Sequence, residues 1–295
     1  MIFLDGVGIG KTDYQSNPFF KFGFKTFTNI FGEIPSLDKQ ILKKNNSFLF
    51  PADARLGVEG FPQSGTGQTS ISCGINAPKL IGKHFGPYPY STLIPVLKEK
   101  SIFRYFIDKN EKVSFANAYP KVFFNYIKSG RSRLGVTSLS CLLNNVRLNT
   151  VTDVRKGNAL TAEITNERWN IKLGYKLKPI KPQTAARRLL RIAQRNSFTL
   201  YEYYLTDYLG HGRYDGEIEP VIRTIDDFLY TIISELNNNT TLLICSDHGN
   251  IEDLSVKTHT LNPALTISSG KYAEELFNNI KDISKIKNAI IKTFK

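Results

Sequence analysis

Three apolar stretches of this chain each lead to an aspartate: residues 1–4 to Asp5, 198–206 to Asp207 and 241–245, one residue short, to Asp247. Short runs rich in aliphatic, aromatic and β-branched residues read as buried strands. Over 217–236, Ile218, Val221, Ile222, Ile225, Phe228, Leu229, Ile232, Ile233 and Leu236 recur at the spacing of one helical face. Further helices are expected at 64–74, 184–195, 271–280 and 283–294, and further strands at 113–116, 160–164 and 264–267. Strands alternating with helices imply an α/β fold, a mostly parallel sheet sandwiched by helices. Ligands of such sheets bind beyond the carboxyl ends of the strands. Asp5, Asp207 and Asp247 are therefore expected to converge on one rim.

Charge divides the chain unevenly. Residues 76–195 carry 23 Lys and Arg against 6 Asp and Glu, and the remaining residues carry 16 against 20. This contrast suggests a basic lid, 76–195, inserted into a core made of 1–75 and 196–295, and it points to an anionic ligand. Nucleic acid would call for aromatic side chains interleaved with basic ones along an open groove. Tyr88, Tyr90, Phe103, Tyr105 and Phe106 belong to no such recognised motif, which counts against nucleic acid. No apolar run approaches the ~18 residues of a membrane span. No leader is read at the N-terminus, so a cytoplasmic location is expected by default. The three cysteines, Cys73, Cys141 and Cys245, form no CxxC pair and are expected as buried thiols.

The chemistry-bearing residues are sparse and grouped. Of four histidines, three stand in Asp207-Tyr-Leu-Gly-His211, Asp247-His248-Gly-Asn250 and Thr258-His259-Thr260. Imidazole and carboxylate together suit Zn²⁺ or Mn²⁺. Ser64 opens the helix expected over 64–74, where the positive end of the helix dipole favours a developing anion.

Taken in order, Asp5-Gly-Val-Gly-Ile-Gly10, Ser64-Gly-Thr-Gly-Gln68, Asp207-x-x-x-His211, Ser246-Asp-His-Gly-Asn250 and His259-Thr-x-Asn-Pro263 resemble the metalloenzyme branch of the alkaline-phosphatase superfamily. That branch includes cofactor-independent phosphoglycerate mutase and phosphopentomutase. The resemblance implies an alkaline-phosphatase-like core and two divalent metal ions, Mn²⁺ or Zn²⁺. Asp5, Ser64, Asp247 and His248 would surround one ion, and Asp207, His211 and His259 the other. Ser64 would be the nucleophile, since the family's phosphorylated Ser or Thr likewise stands three residues before a glycine, here Gly67. Thr66 and Thr69 are rival hydroxyls. Asn250 and Glu252 are candidates to orient the ligands. Arg131 and Arg133, following the turn at Gly130, are the preferred lid residues for a substrate phosphate, with Lys83, Arg187 and Arg188 behind them. Gln68 departs from the family pattern, because the mutases have histidine there. The expected activity is metal-dependent phosphoryl transfer through a phosphoserine, with a phosphohydrolase preferred over a phosphomutase. Substrate and oligomeric state stay open.

Overall fold

The computed structural model describes residues 1–131 and 133–294. Seven strands form one sheet: β1 (Ile2–Leu4), β2 (Leu42–Lys44), β3 (Ser47–Ala52), β4 (Val113–Phe115), β5 (Phe198–Tyr203), β6 (Thr241–Ser246) and β7 (Ala264–Gly270). Their order is β2-β3-β7-β6-β1-β5-β4. The run β6-β1-β5-β4 is parallel throughout, with Ile2 opposite both Tyr201 and Ile244. The other three pairings, β6–β7, β7–β3 and β3–β2, are antiparallel. The sheet is thus mixed, and its parallel half carries all three strands that end in aspartate.

Alternation along these strands divides the core. Ile2, Leu4, Tyr201, Tyr203, Leu242 and Ile244 join the cluster on one face, with Phe27, Leu189, Ile225 and Phe228 from the covering helices. Phe3, Phe198, Leu200, Leu243 and Cys245 point to the other, where Ile71, Phe103, Phe106 and Leu276 cover them. A strand with a period of two can be apolar at every position only when both faces are covered. Cys73, Cys141 and Cys245 are buried free thiols.

The helices follow the periodic stretches closely, at Ser64–Cys73, Pro182–Ala193 and Ile218–Ser234. Differences arise where local chemistry intervenes. The strand expected over 198–206 stops at Tyr203, because Leu205–Gly210 turns into a short helix. Residues 160–164 are not a strand. Leu160 makes a single bridge to Asn117, and the chain then turns, with Ile164 in the left-handed region at φ 75°. β2 and β3 were not expected, since Pro51 breaks the strand pattern of 47–52. β2 pairs only with Ser47–Leu49, so at Pro51 that side of β3 is an edge, where a sheet tolerates proline. The basic segment 76–195 supplies β4, which extends the central sheet beyond β5. Among the described residues, four of its basic side chains are ion-paired, Arg104 with Asp108, Arg147 with Asp153, Lys172 with Asp215 and Arg187 with Glu235. Among the described residues, no helix is long and apolar enough to cross a membrane.

Phe228 is fully buried and packs on Tyr201, with ring centroids 5.4 Å apart. Phe228→Ala should cost about 3–5 kcal/mol of stability, read as a lower urea midpoint. A loss below about 1 kcal/mol would show that this face is not the packed core described.

Candidate metal centre

β6, β1 and β5 are neighbours, so the residues just past their carboxyl ends meet. Asp247 directly follows β6 and Asp5 directly follows β1; Asp207 lies one turn into the helix after β5. The peptide of Gly6 bends at φ 67°, and a side chain there would strike the Asp207 carboxylate. The helix carrying Ser64 comes equally close. A Cβ on Gly67 would sit 2.9 Å from that of Asp247, so glycine is what lets the helix start reach the rim.

Two clusters result. In the first, His248 Nε2 lies 3.5 Å from both Asp5 Oδ1 and Asp247 Oδ2. In the second, Asp207 Oδ1 lies 3.4 Å from both His211 Nε2 and His259 Nε2. Stacking of the His248 and His259 rings, 3.7 Å between centroids, joins the two. The Ser64 hydroxyl donates to His248 Nε2 at 3.1 Å. Asp247 and His248 are wholly buried, and Ser64 and His259 nearly so.

Backbone carbonyls orient the imidazoles. His211 Nδ1 donates to Lys257 O at 2.9 Å, His259 Nδ1 to Pro62 O at 2.6 Å and His248 Nδ1 to Gly249 O at 3.3 Å. Each Nε2 is thereby turned toward the carboxylates, the arrangement that metal-ligating histidines adopt. Asn250 Nδ2 donates to Asp207 Oδ1 at 2.6 Å. Glu252 accepts from the backbone N–H groups of Gly8 and Asn250 and from the side chains of Thr260 and Asn262. One carboxylate thus ties together the three loops that carry Asp5, Asp247–His248 and His259. Gln68 Nε2 approaches Asp5 Oδ2 at 3.4 Å.

The electrostatics call for positive charge. Burial, then the field of Asp207, pushes the Asp247 carboxyl up to about 7. Burial and the charges of Asp247 and Asp207 raise Asp5 well above the usual carboxylate range. Burial, reinforced by His259, drives His248 down to about 3, leaving a neutral ligand. Burial also opposes ionisation of Asp207, but its histidine and Asn250 contacts outweigh it and hold the group at about 2. Asp5 Oδ1 and Asp247 Oδ2 are buried with no hydrogen-bond partner. His211 Nε2 and His259 Nε2 lie 3.1 Å apart, where two lone pairs repel unless a proton or a cation lies between them. Divalent cations answer all three conditions, so the residues present fit a metal at each cluster, with His248 also within metal-sharing distance of Asp207 and His259.

Ser64 and all three residues of the second cluster line a cavity of about 310 Å³, together with Phe61, Pro87 and Arg213. Arg213 is the one basic residue among those lining it. Sequence reasoning missed it, although its place two residues after His211 was the available signal. Arg131 and Arg133 do not line this cavity. They are exposed, with Arg131 over the Tyr126 ring and the Arg133 carbonyl accepting from the Tyr126 hydroxyl. Lys83 lies over Phe85 and Tyr90, Arg187 pairs with Glu235, and Arg188 donates to the carbonyls of Val154 and Ala159. Thr66 and Thr69 turn their hydroxyls to the backbone carbonyls of Gln63 and Gly65. His84 bonds Val58 O, away from both clusters.

A family model described as the Metalloenzyme superfamily matches residues 91–295. The chain belongs to the Metalloenzyme superfamily. The match spans Asp207, His211, Asp247, His248 and His259, while Asp5 and Ser64 lie before it and are brought to the same rim by the fold. In structure, this superfamily member is similar to the alkaline phosphatase of the Antarctic bacterium TAB5, at 14% identity and a TM-score of 0.55, over 99% of this chain and 97% of that one. It is also similar to the cold-active alkaline phosphatase of the psychrophile Shewanella sp., at 11% identity and a TM-score of 0.52, over 100% and 99%. No curated protein matches the sequence. The family and the alkaline-phosphatase-like fold expected from the ordered motifs are borne out, and a metal cofactor goes with that membership.

If crowded negative charge is what the centre must neutralise, Asp247→Asn should stabilise the metal-free protein by on the order of 1 kcal/mol, a rise of about 2–4 °C in unfolding temperature. The same variant should lose most of the metal-induced stabilisation, which for the native protein reaches about 4 kcal/mol at a thousandfold excess of metal over Kd. Calorimetry with and without Mn²⁺ measures both, and a destabilised metal-free variant would contradict the electrostatic reading.

Proposed function

We propose that this member of the Metalloenzyme superfamily is a two-metal phosphohydrolase that acts on a small phosphorylated metabolite through a phosphoserine at Ser64. Asp5, Asp247, His248 and Ser64 would hold one divalent ion, Mn²⁺ or Zn²⁺, and Asp207, His211 and His259 the other. The observation that carries the reading is the position of Ser64. Its hydroxyl reaches His248, which takes part in the first cluster, and its side chain lines the cavity together with all three residues of the second.

Two bound cations would supply Lewis-acid activation of the hydroxyl and neutralisation of the phosphoryl charge. The chain's own part is positional. Ser64 stands at the first turn of a ten-residue helix, so the partial positive charge of the helix start favours its ionised form. Its oxygen attacks phosphorus, the bond to the leaving-group oxygen breaks, the phosphoryl group passes to Ser64, and the leaving oxygen departs as an alcohol with a proton equivalent to the one Ser64 gives up. Arg213, on the cavity wall, is suited to a two-pronged grip on the non-bridging oxygens. Water then attacks the same phosphorus, releasing inorganic phosphate and the free serine. Asn250 and the Lys257 and Pro62 carbonyls keep Asp207, His211 and His259 oriented throughout.

Hydrolysis is preferred to mutase chemistry because the cavity mouth is open. Phe61 is half exposed and Arg213 is exposed, whereas a mutase must keep its intermediate from water. The small cavity and the apolar Phe61 and Pro87 favour a compact substrate over a polymer.

With Mn²⁺ or Zn²⁺, the native protein should release phosphate from p-nitrophenyl phosphate and carry a transient phosphoryl adduct by intact mass. Ser64→Ala should keep its metal and lose the adduct; an adduct of unchanged yield in that variant would refute the nucleophile. Arg213→Ala should lower kcat/KM about 10- to 100-fold, the loss expected for a charged hydrogen bond of about 1.5–3 kcal/mol. An unchanged kcat/KM would remove Arg213 from the site.

A further inference from the structure

A second cavity, of about 320 Å³, shares no lining residue with the metal centre. Glu163, Arg168, Tyr203, Leu205, Tyr214 and Val221 are among the residues around it. The Glu163 side chain belongs to a residue only 6% exposed, and Tyr203 is wholly buried. Glu163 Oε2 accepts from the N–H and the hydroxyl of Thr165, both at 3.0 Å, but Glu163 Oε1 has no hydrogen-bond partner. The Tyr203 hydroxyl has none either. Buried polar groups are almost always paired, and two unpaired ones on a single cavity call for an explanation.

The segment that presents Glu163 is held in an unfavourable backbone shape. Ile164 sits at φ 75° and Asn166 at φ 72°, both left-handed, and a β-branched residue there is a true outlier. Long-range bonds fix the segment: Asn166 Nδ2 donates to Lys178 O, and Ile180 N to Thr165 O. Strain maintained by surrounding bonds is a mark of binding sites. Across the cavity, the Arg168 guanidinium rests over the rings of Tyr214 and Tyr208, at 5.4 and 5.6 Å. Among the described residues, no carboxylate pairs with it. Burial raises the Glu163 carboxyl above its ordinary range, against the opposing hydrogen bonds of Thr161, Thr165 and the Trp169 backbone.

We propose that this cavity is a second ligand site, for a small organic anion that also carries a hydroxyl or amino group. The donor group bonds Glu163 Oε1, with Tyr203 donating to the ligand in turn, and the carboxylate or phosphate lies in the fork of Arg168. Leu205 and Val221 furnish apolar wall between the two ends. The volume, at the lower end for ligand pockets, selects a molecule of metabolite size. The site stands independently of the phosphoryl-transfer reading.

Trp169, the sole tryptophan, is largely buried, directly follows Arg168, and its backbone contacts the Glu163 carboxylate. Its fluorescence therefore reports on the cavity. Glycerate and serine, chosen because neither carries a phosphate, are titrated into the metal-loaded protein. At least one should give a saturable change in Trp169 emission. Arg168→Gln and Tyr203→Phe should each weaken that response at least tenfold, whereas Asp207→Asn, which breaks the metal centre, should leave it in place. Tyr203→Phe should also unfold at the same or a higher temperature, since it removes only an unpaired hydroxyl; a lower one would give that hydroxyl a structural role. No saturable response to either probe, or a response that survives both cavity variants or vanishes in Asp207→Asn, would overturn the proposal.

Discussion

Repulsion among Asp5, Asp207 and Asp247 is the constraint on which the rest of the centre depends. Three adjacent parallel strands deliver these carboxylates to one rim, where burial makes the charges of Asp5 and Asp247 costly and the neighbouring carboxylates make them costlier, while histidine and Asn250 contacts keep Asp207 ionised. Nothing in the apolar core below can relieve this. The fold tolerates the arrangement because the rim sits where the strands end, at the boundary between the packed sheet and an open cavity. A cluster of acids in such a place makes sense only as a receptor for positive charge, and the orphaned oxygens of Asp5 and Asp247 show where it is needed.

The surrounding shell holds the carboxylates and imidazoles in one fixed arrangement. Carbonyls of Lys257, Pro62 and Gly249 take one nitrogen of each imidazole and leave the other for the centre. Glu252 holds three ligand-bearing loops at once, so the distances between the clusters depend on a residue that lies outside both. Preorganisation of this kind lets a site keep its geometry through a reaction cycle without waiting for loops to reassemble. The helix that begins at Ser64 completes the design, since Gly67 allows it to approach Asp247 and so brings a hydroxyl within reach of His248.

Much of this was legible in the sequence because it obeys local rules. A strand buried on both faces is written as a continuous apolar run, and the aspartates directly after such runs mark the rim. The Ile218–Ser234 helix shows its period plainly. What stayed hidden depended on tertiary context. β3 was masked by Pro51, whose tolerance follows from a short neighbouring strand. Residues 160–164 look like a strand by composition, yet the chain there is bent to present Glu163. The basic segment suggested Arg131 and Arg133 for an anion, but net charge says nothing about where a side chain points, and the arginine on the cavity wall is Arg213. That residue lies in a region of no net basic excess, and only its place two residues after His211 marks it in the sequence.

The central claim is that two cations share one cleft. Anomalous diffraction from crystals grown with Mn²⁺ tests this most directly. Two peaks are expected, one among Asp5, Asp247 and His248 and the other among Asp207, His211 and His259, both beside Ser64. A single peak, or ions bound away from these side chains, would contradict it.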